Sequence, residues 1–142
     1  MTLMITFAIY GDPVAKGRPK FAKRGNHVMA YTPKKTHDYE SEVALMAKAA
    51  MGSSEPIETP VAVYIHVTFA IPPSYSKKRR EACLNGSERH TKKPDLDNCV
   101  KAVTDGMNGI VYQDDSQITS LHATKVYGTT AMVEVMIKED LL

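Results

Sequence analysis

Carboxylates crowd two short stretches of this chain. Lys93-Pro94-Asp95-Leu96-Asp97-Asn98 sets Asp95 and Asp97 two positions apart, and Tyr112-Gln113-Asp114-Asp115-Ser116-Gln117-Ile118 sets two more side by side. Carboxylates held close repel, and one of them resists ionisation unless a cation joins them. Mg²⁺ suits that role: it is hard, takes oxygen ligands, keeps several waters and needs only a few carboxylates beside a phosphate oxygen. Bound there, it can activate water and neutralise charge on a phosphodiester. Lys101, one helical turn after Asp97, is suited to hold the scissile phosphate or the leaving oxygen. Asp114 and Asp115 would close the site, and the residues leave open which is the main ligand.

The element that must position this chemistry is a helix. Pro94 fits its first turn, where a missing N–H has no partner anyway. Asp95 and Asp97 then fall in or just before that turn, where the helix dipole favours negative charge. Leu96, Val100, Val103 and Met107 form one apolar stripe with Cys99 at its edge, while Asp97, Lys101, Asp105 and Asn108 fall on the other side. Gly109 supplies a stop. Simpler readings exist for each part. Asp95 could be an N-cap alone, and Asp97–Lys101 could be an i,i+4 pair worth ~0.3–0.5 kcal/mol. The second acidic cluster and a neighbouring basic segment shift the balance toward a metal site.

Other chemistries lack their residues. An EF-hand loop begins similarly but needs Gly at its sixth position and Glu at its twelfth, where this chain has Val100 and Gly106. The two cysteines, Cys83 and Cys99, and the five histidines lack zinc-ligand spacing. No phosphate-cradling Gly-rich loop and no Gly-x-Ser-x-Gly elbow occurs.

Charge is unevenly spread. Lys77, Lys78, Arg79, Arg80, Arg89, Lys92 and Lys93 stand against Glu81 and Glu88, a surplus of five in a chain whose net charge is +2, so the remainder is net negative. A basic segment beside an acidic site suggests a polyanion such as nucleic acid; a charge run taken alone is more simply a solvated loop. A hydrophobic share of 43% and a charged share of 24% fit an ordinary soluble protein. The 142 residues suggest one domain over 1–142. No apolar run reaches the ~20 residues that span a bilayer, and Met1 to Tyr10 has no charged leader or small-residue cleavage site. With no disulfide framework either, the expected compartment is the cytoplasm.

Along the chain, Leu3 to Tyr10 reads as a strand. A turn-rich loop follows from Gly11 to Lys20, carrying Lys16, Arg18 and Lys20 and extended by Lys23 and Arg24, charges that could meet phosphates. Thr32 and Pro33 look like an N-cap and first-turn proline of a helix in which Tyr39, Val43, Met46, Ala47 and Ala50 recur up to Gly52. Val61 to Ile71 is the clearest strand, and its second face (Ala62, Tyr64, His66, Thr68, Ala70) is mixed. Ser76 caps a short basic helix through Leu84, closed by Asn85-Gly86. Ile110-Val111-Tyr112 reads as a short strand. Ile118 to Tyr127 and Thr130 to Glu139 read as a hairpin turning near Gly128. The order suggests an α/β (α+β) two-layer sandwich, a mixed sheet covered by two main helices.

Taken together, Lys93-Pro94-Asp95-Leu96-Asp97-Asn98, Lys101-Ala102-Val103, Asp105, Asn108-Gly109 and Asp114-Asp115-Ser116-Gln117-Ile118 resemble the RusA family of Holliday junction resolvases, often borne by phages and prophages. Gly11-x-Pro13-x-x-Lys16-x-Arg18-Pro19 and Tyr31-Thr32-Pro33 are similar to it as well, so the resemblance spans nearly the whole chain. Cys99 stands where the family commonly has an aliphatic residue. The resemblance implies a RusA-like fold and a homodimeric, Mg²⁺-dependent crossover junction endodeoxyribonuclease, with Mn²⁺ expected to substitute, that nicks four-way junction DNA in a symmetric pair during recombination and repair. It implies Asp95, Asp97 and Asp115 as metal ligands, Asp115 being favoured over Asp114 by the family pattern, and Lys101 as a catalytic aid. Lys16, Arg18, Lys77, Lys78, Arg79, Arg80 and Lys93 would contact phosphates, and Asp114, Asn98 and Asp105 are further candidates. No membrane and no small-molecule cofactor are expected. A two-fold junction is best matched by a two-fold dimer. The competing readings are a DNA-binding protein without nuclease activity and a general metal-dependent DNA nuclease.

Overall fold

The computed structural model describes residues 3–141. In order come β1 (Met4–Tyr10), β2 (Lys20–Arg24), β3 (His27–Tyr31), α1 (Lys34–Met51), β4 (Val61–Ala70), α2 (Lys77–Asn85), α3 (Leu96–Met107), β5 (Ile118–Gly128) and β6 (Met132–Glu139). A 3₁₀ turn, Asp115–Gln117, joins α3 to β5. The fold is α+β. Among the described residues, four strands form one mixed sheet in the order β1-β6-β4-β5, and β2 pairs only with β3. None of the helices is long and apolar enough to cross a membrane among the described residues.

The alternation in the strands decides which face is covered. Ile5 and Ile9, then Val61, Val63, Ile65 and Val67, then Val133, Val135 and Ile137 all join one core with Tyr39, Val43 and Ala47 of α1 and Val100, Val103 and Met107 of α3. Register agrees, since Val63 and Ile5 both oppose Ile137. The opposite face of β4 is half-exposed at Tyr64, His66 and Thr68. Helices α1 and α3 touch through Gly106, where a Cβ would stand 2.7 Å from the Val43 side chain. Only glycine permits that approach.

Four local expectations are corrected. Strands β5 and β6 are not a hairpin: β5 runs parallel to β4 on one side, and β6 antiparallel to it on the other. The apolar alternation of β6 suits a central position, whereas Thr119, Ser120 and His122 suit the sheet edge that β5 occupies. Ile110 and Val111 form a turn rather than a strand, with Tyr112 in single bridges to Ile57 and Asn108. The loop read from Gly11 to Lys20 and extended by Lys23 and Arg24 gives way at Lys20 to the β2–β3 hairpin. Finally, both helices begin later than their prolines suggest. Pro33 is the N-cap of α1 and Asp95 the N-cap of α3, because the Asp95 carbonyl accepts the first helical bond, from the Cys99 amide at 3.1 Å.

Candidate active site

Three polar side chains line one groove. Asp97, Lys101 and Asp115 border a cleft of about 600 Å³ between α3 and β5, floored by Leu96, Val100, Ile118, Leu121 and Ala123. The Lys101 ammonium lies 3.0 Å from Asp105 Oδ1 and 3.6 Å from Asp115 Oδ2. Its i,i+4 partner is therefore Asp105, not Asp97. Asp97 is left without an ion pair among the described residues, as is Asp95. The Asp105 hydrogen bond holds the Lys101 pKa above its ordinary value, with Asp115 adding to it against the opposing effect of burial.

Asp95 stands on the other flank of the first turn. It borders a second groove with Arg18, Lys93, Pro94 and Asn98. Although it occupies the N-cap position, its side chain makes no capping bond, so its carboxylate is not spent on the helix. The backbone leading to it is pinned from β5: the Lys125 ammonium donates to the carbonyls of Lys92 at 2.8 Å and Pro94 at 3.1 Å.

The second acidic pair divides its labour. Asp114 Oδ2 accepts from the Ser116 amide at 3.0 Å, and hydrogen bonding from Ser116 holds its carboxyl below the ordinary range. Gln117 completes a capping box: its Oε1 accepts from the Asp114 amide at 2.9 Å while its Nε2 donates to the carbonyls of Ile57 and Thr59. The Asp115 amide donates to Asn108 Oδ1 at 3.1 Å, which ties the end of α3 to the turn. Buried Tyr112 donates its hydroxyl to the Thr104 carbonyl at 2.7 Å. Thus Asp114 shapes the turn, and Asp115 presents its carboxylate to the groove.

The expected cations have several fates. Lys16 is enclosed by carboxylates, 2.9 Å from Glu40 and 3.1 Å from Asp105. Arg79 pairs with Glu88 at 2.9 Å and lies 3.6 Å over the Tyr75 ring. Arg80 reaches the Pro72 carbonyl at 3.5 Å. Lys77 and Lys78 are exposed in the first turn of α2, and Arg18 and Lys93 are exposed beside Asp95. Asn98 lies in that second groove too, and its carbonyl accepts from the Lys16 amide at 2.8 Å. Asp105 gives one oxygen to each of two lysines.

Residues 10–138 match the family described as Endodeoxyribonuclease RusA. The chain belongs to the RusA family. It is also 41% identical over 138 residues to the uncharacterized protein YqaN of Bacillus subtilis (strain 168), covering 95% of this chain and 96% of that one. RusA membership makes the chain an endodeoxyribonuclease of the kind that acts on Holliday junctions, and the acidic grooves lie inside the matched span.

RusA-type chemistry with a cation can be tested against the donor set. No three His, Cys, Asp or Glu side chains among the described residues are gathered closely enough to enclose a metal as they stand. Asp97 and Asp115, however, share a groove and offer only hard oxygen donors. That suits an ion which completes its shell with water and phosphate oxygens. Lys125, Glu40 and the structural role of Gln117 were not signalled by the sequence, because each acts through a contact between distant segments.

Proposed function

We propose that this RusA-family chain is a Mg²⁺-dependent endonuclease that resolves four-way DNA junctions by paired symmetric nicks, working as a homodimer. One observation carries the reading: Asp97, Lys101 and Asp115 border a single groove, with Lys101 fixed there by Asp105. When bound, Mg²⁺ would supply charge neutralisation and an acidified water. Asp97 and Asp115 would hold it, with Asp95 joining from the N-cap of α3. Lys101, protonated and oriented, gives a fixed positive charge toward a phosphate oxygen as negative charge builds on it. Arg18 and Lys93 would grip a neighbouring phosphate, and exposed Lys77 and Lys78 a more distant one; such contacts position DNA without reading its sequence. A dimer places two such sites on the two-fold related strands of a junction.

The test is a synthetic four-way junction incubated with protein and MgCl₂ and resolved on a denaturing gel. Symmetric nicks in one opposed pair of strands are expected, lost in Asp97→Asn and Asp115→Asn while junction binding persists. Equal cleavage of linear duplex would instead favour a general nuclease. Binding with no Mg²⁺-dependent cleavage would favour a DNA-binding protein.

A further inference from the structure

Among the described residues the β2–β3 hairpin pairs with no other strand, yet it is not built as an inert loop. Phe21, Val28, Met29 and Tyr31 are 69%, 67%, 55% and 48% exposed. A two-stranded ribbon is marginal in water by itself, and large apolar side chains left open on it mark an interaction surface. The register divides these residues between both sides of the ribbon. Phe21 opposes Ala30, and Lys23 opposes Val28, on one face; Lys20 opposes Tyr31, Ala22 opposes Met29, and Arg24 opposes His27 on the other. Each face therefore mixes large apolar groups with cations.

Charge selects the occupant. No Asp or Glu occurs between Asp12 and Asp38, while Arg18, Lys20, Lys23 and Arg24 do. A polyanion with apolar surfaces within it fits this pattern. Position narrows it further. The chain entering the hairpin is bonded to α3, Lys16 amide to Asn98 carbonyl at 2.8 Å, and the Gly17 amide donates to Thr36 Oγ1 at 2.9 Å. Arg18 and Pro33, at the two roots, line the same groove as Asp95. From there a five-residue strand reaches roughly 17 Å outward at ~3.3 Å per residue. Gly25, first of the two turn residues, takes φ +61°, as the tight turn of such a ribbon requires.

We propose that this hairpin is an arm that enters the branch point of the junction, its apolar side chains resting on unstacked bases and its cations on the flanking phosphates. A ribbon lying along a duplex would cover one face and leave the other wet. An opening walled by strands on two sides covers both. Apolar wedges at unstacked steps and aromatic platforms under bases are established ways for proteins to hold such DNA. The inference rests on the junction reading above.

The experiment uses the full chain in metal-free buffer with a junction carrying 2-aminopurine beside the branch point. Binding of the wild type should raise the emission as the base loses its stacked neighbour. Phe21→Ser with Val28→Ser should abolish the rise and weaken junction binding about tenfold, the order expected when a base–aromatic stack is lost. Affinity for a linear duplex of equal length should stay within about twofold, because the cations remain. Phe21→Trp should restore the rise. Unchanged emission together with an unchanged junction-to-duplex ratio would overturn the proposal. So would an equal loss on both DNAs, or conversion from dimer to monomer in sedimentation with the emission response intact, which would assign the face to a second copy of the chain. If the wild type itself does not prefer junctions, the functional reading falls and takes the arm with it; if it resolves junctions and the variant is normal, only the arm falls.

Discussion

The Asp105 carboxylate holds the Lys101 ammonium at 3.0 Å with one oxygen and the Lys16 ammonium at 3.1 Å with the other. A chain of alternating charge results, Glu40–Lys16–Asp105–Lys101–Asp115, running from α1 into the groove. Lys101 is about half exposed, whereas Asp105 and Lys16 are mostly covered. The inner links thus have the firmer geometry, and they aim the outer one.

Asp105→Asn should slow the chemical step more than it weakens binding, because an amide holds an ammonium less firmly than a carboxylate does. Single-turnover cleavage of a junction should fall about ten- to a hundredfold, in the range of losses seen when one group stabilising the transition state is impaired. Junction affinity should change little. A loss confined to affinity would mean that Asp105 does not act through Lys101.

Lys16→Met removes the cation between Glu40 and Asp105 and leaves two mostly covered carboxylates facing each other. Stability should drop by ~1–3 kcal/mol, since a half-broken covered ion pair costs more than the pair is worth. Urea unfolding reads this as a lower midpoint at constant slope. The salt dependence of DNA binding should stay at the wild-type slope, because Lys16 is already neutralised within the protein. Arg18→Ala and Lys93→Ala should each flatten that slope by about 0.9, one phosphate contact apiece. A flattened slope in Lys16→Met would return that lysine to the DNA interface.

Gly106→Ala should destabilise the protein even though alanine is the better helix former. The propensity gain is at most about 1 kcal/mol. The new methyl would stand 2.7 Å from Val43 and 3.0 Å from the Glu40 carbonyl, and overpacking of that kind costs about 1–3 kcal/mol. A Tm lowered by several degrees is expected. The companion Val43→Ala should recover part of it by opening room, and a double variant no better than the single would place the strain elsewhere.

What the sequence made legible follows from the range of each interaction. The stripe Leu96, Val100, Val103, Met107 and the alternation from Val61 to Ile71 are local patterns; the elements formed as read, with Leu96 and Phe69 only partly buried and Ala62 of the second face buried as well. The β5–β6 pairing failed because strand adjacency is a long-range choice, decided by which strand can be central. The β2–β3 hairpin was masked by its charges and by the flanking Pro19 and Pro33, yet Gly25-Asn26 between Phe21-Ala22 and Val28-Met29 is a turn signal. In the site, the residue types of Asp95, Asp97, Lys101 and Asp115 were readable, but not the diversion of Lys101 to Asp105 or the use of Asp114 as a cap. Those depend on where the turn after Tyr112 lands.

His90 should make stability fall on mild acidification. The residue is 8% exposed, its ring stacked on Phe69 with centroids 3.9 Å apart and tilted against Tyr127 at 4.9 Å. Its Nδ1 is buried with no hydrogen-bond partner among the described residues. Burial, then the Lys125 ammonium, lower its pKa, with Lys92 adding to this and a backbone hydrogen bond opposing it. The folded chain therefore keeps His90 neutral at pH values where the unfolded chain, titrating near 6.5, already binds a proton. Stability rises with pH wherever the unfolded state holds more protons, so the contribution is complete above about pH 6.5 and shrinks as pH falls toward the lowered folded pKa, below which the loss levels off. His90→Phe keeps an aromatic ring against Phe69 and removes the proton. Between about pH 7.5 and 5.5, a window that brackets the unfolded pKa, the Tm of the wild type should drop further than that of the variant. Parallel curves would show that His90 is not held neutral by its surroundings, and that the ring stack tolerates its charge.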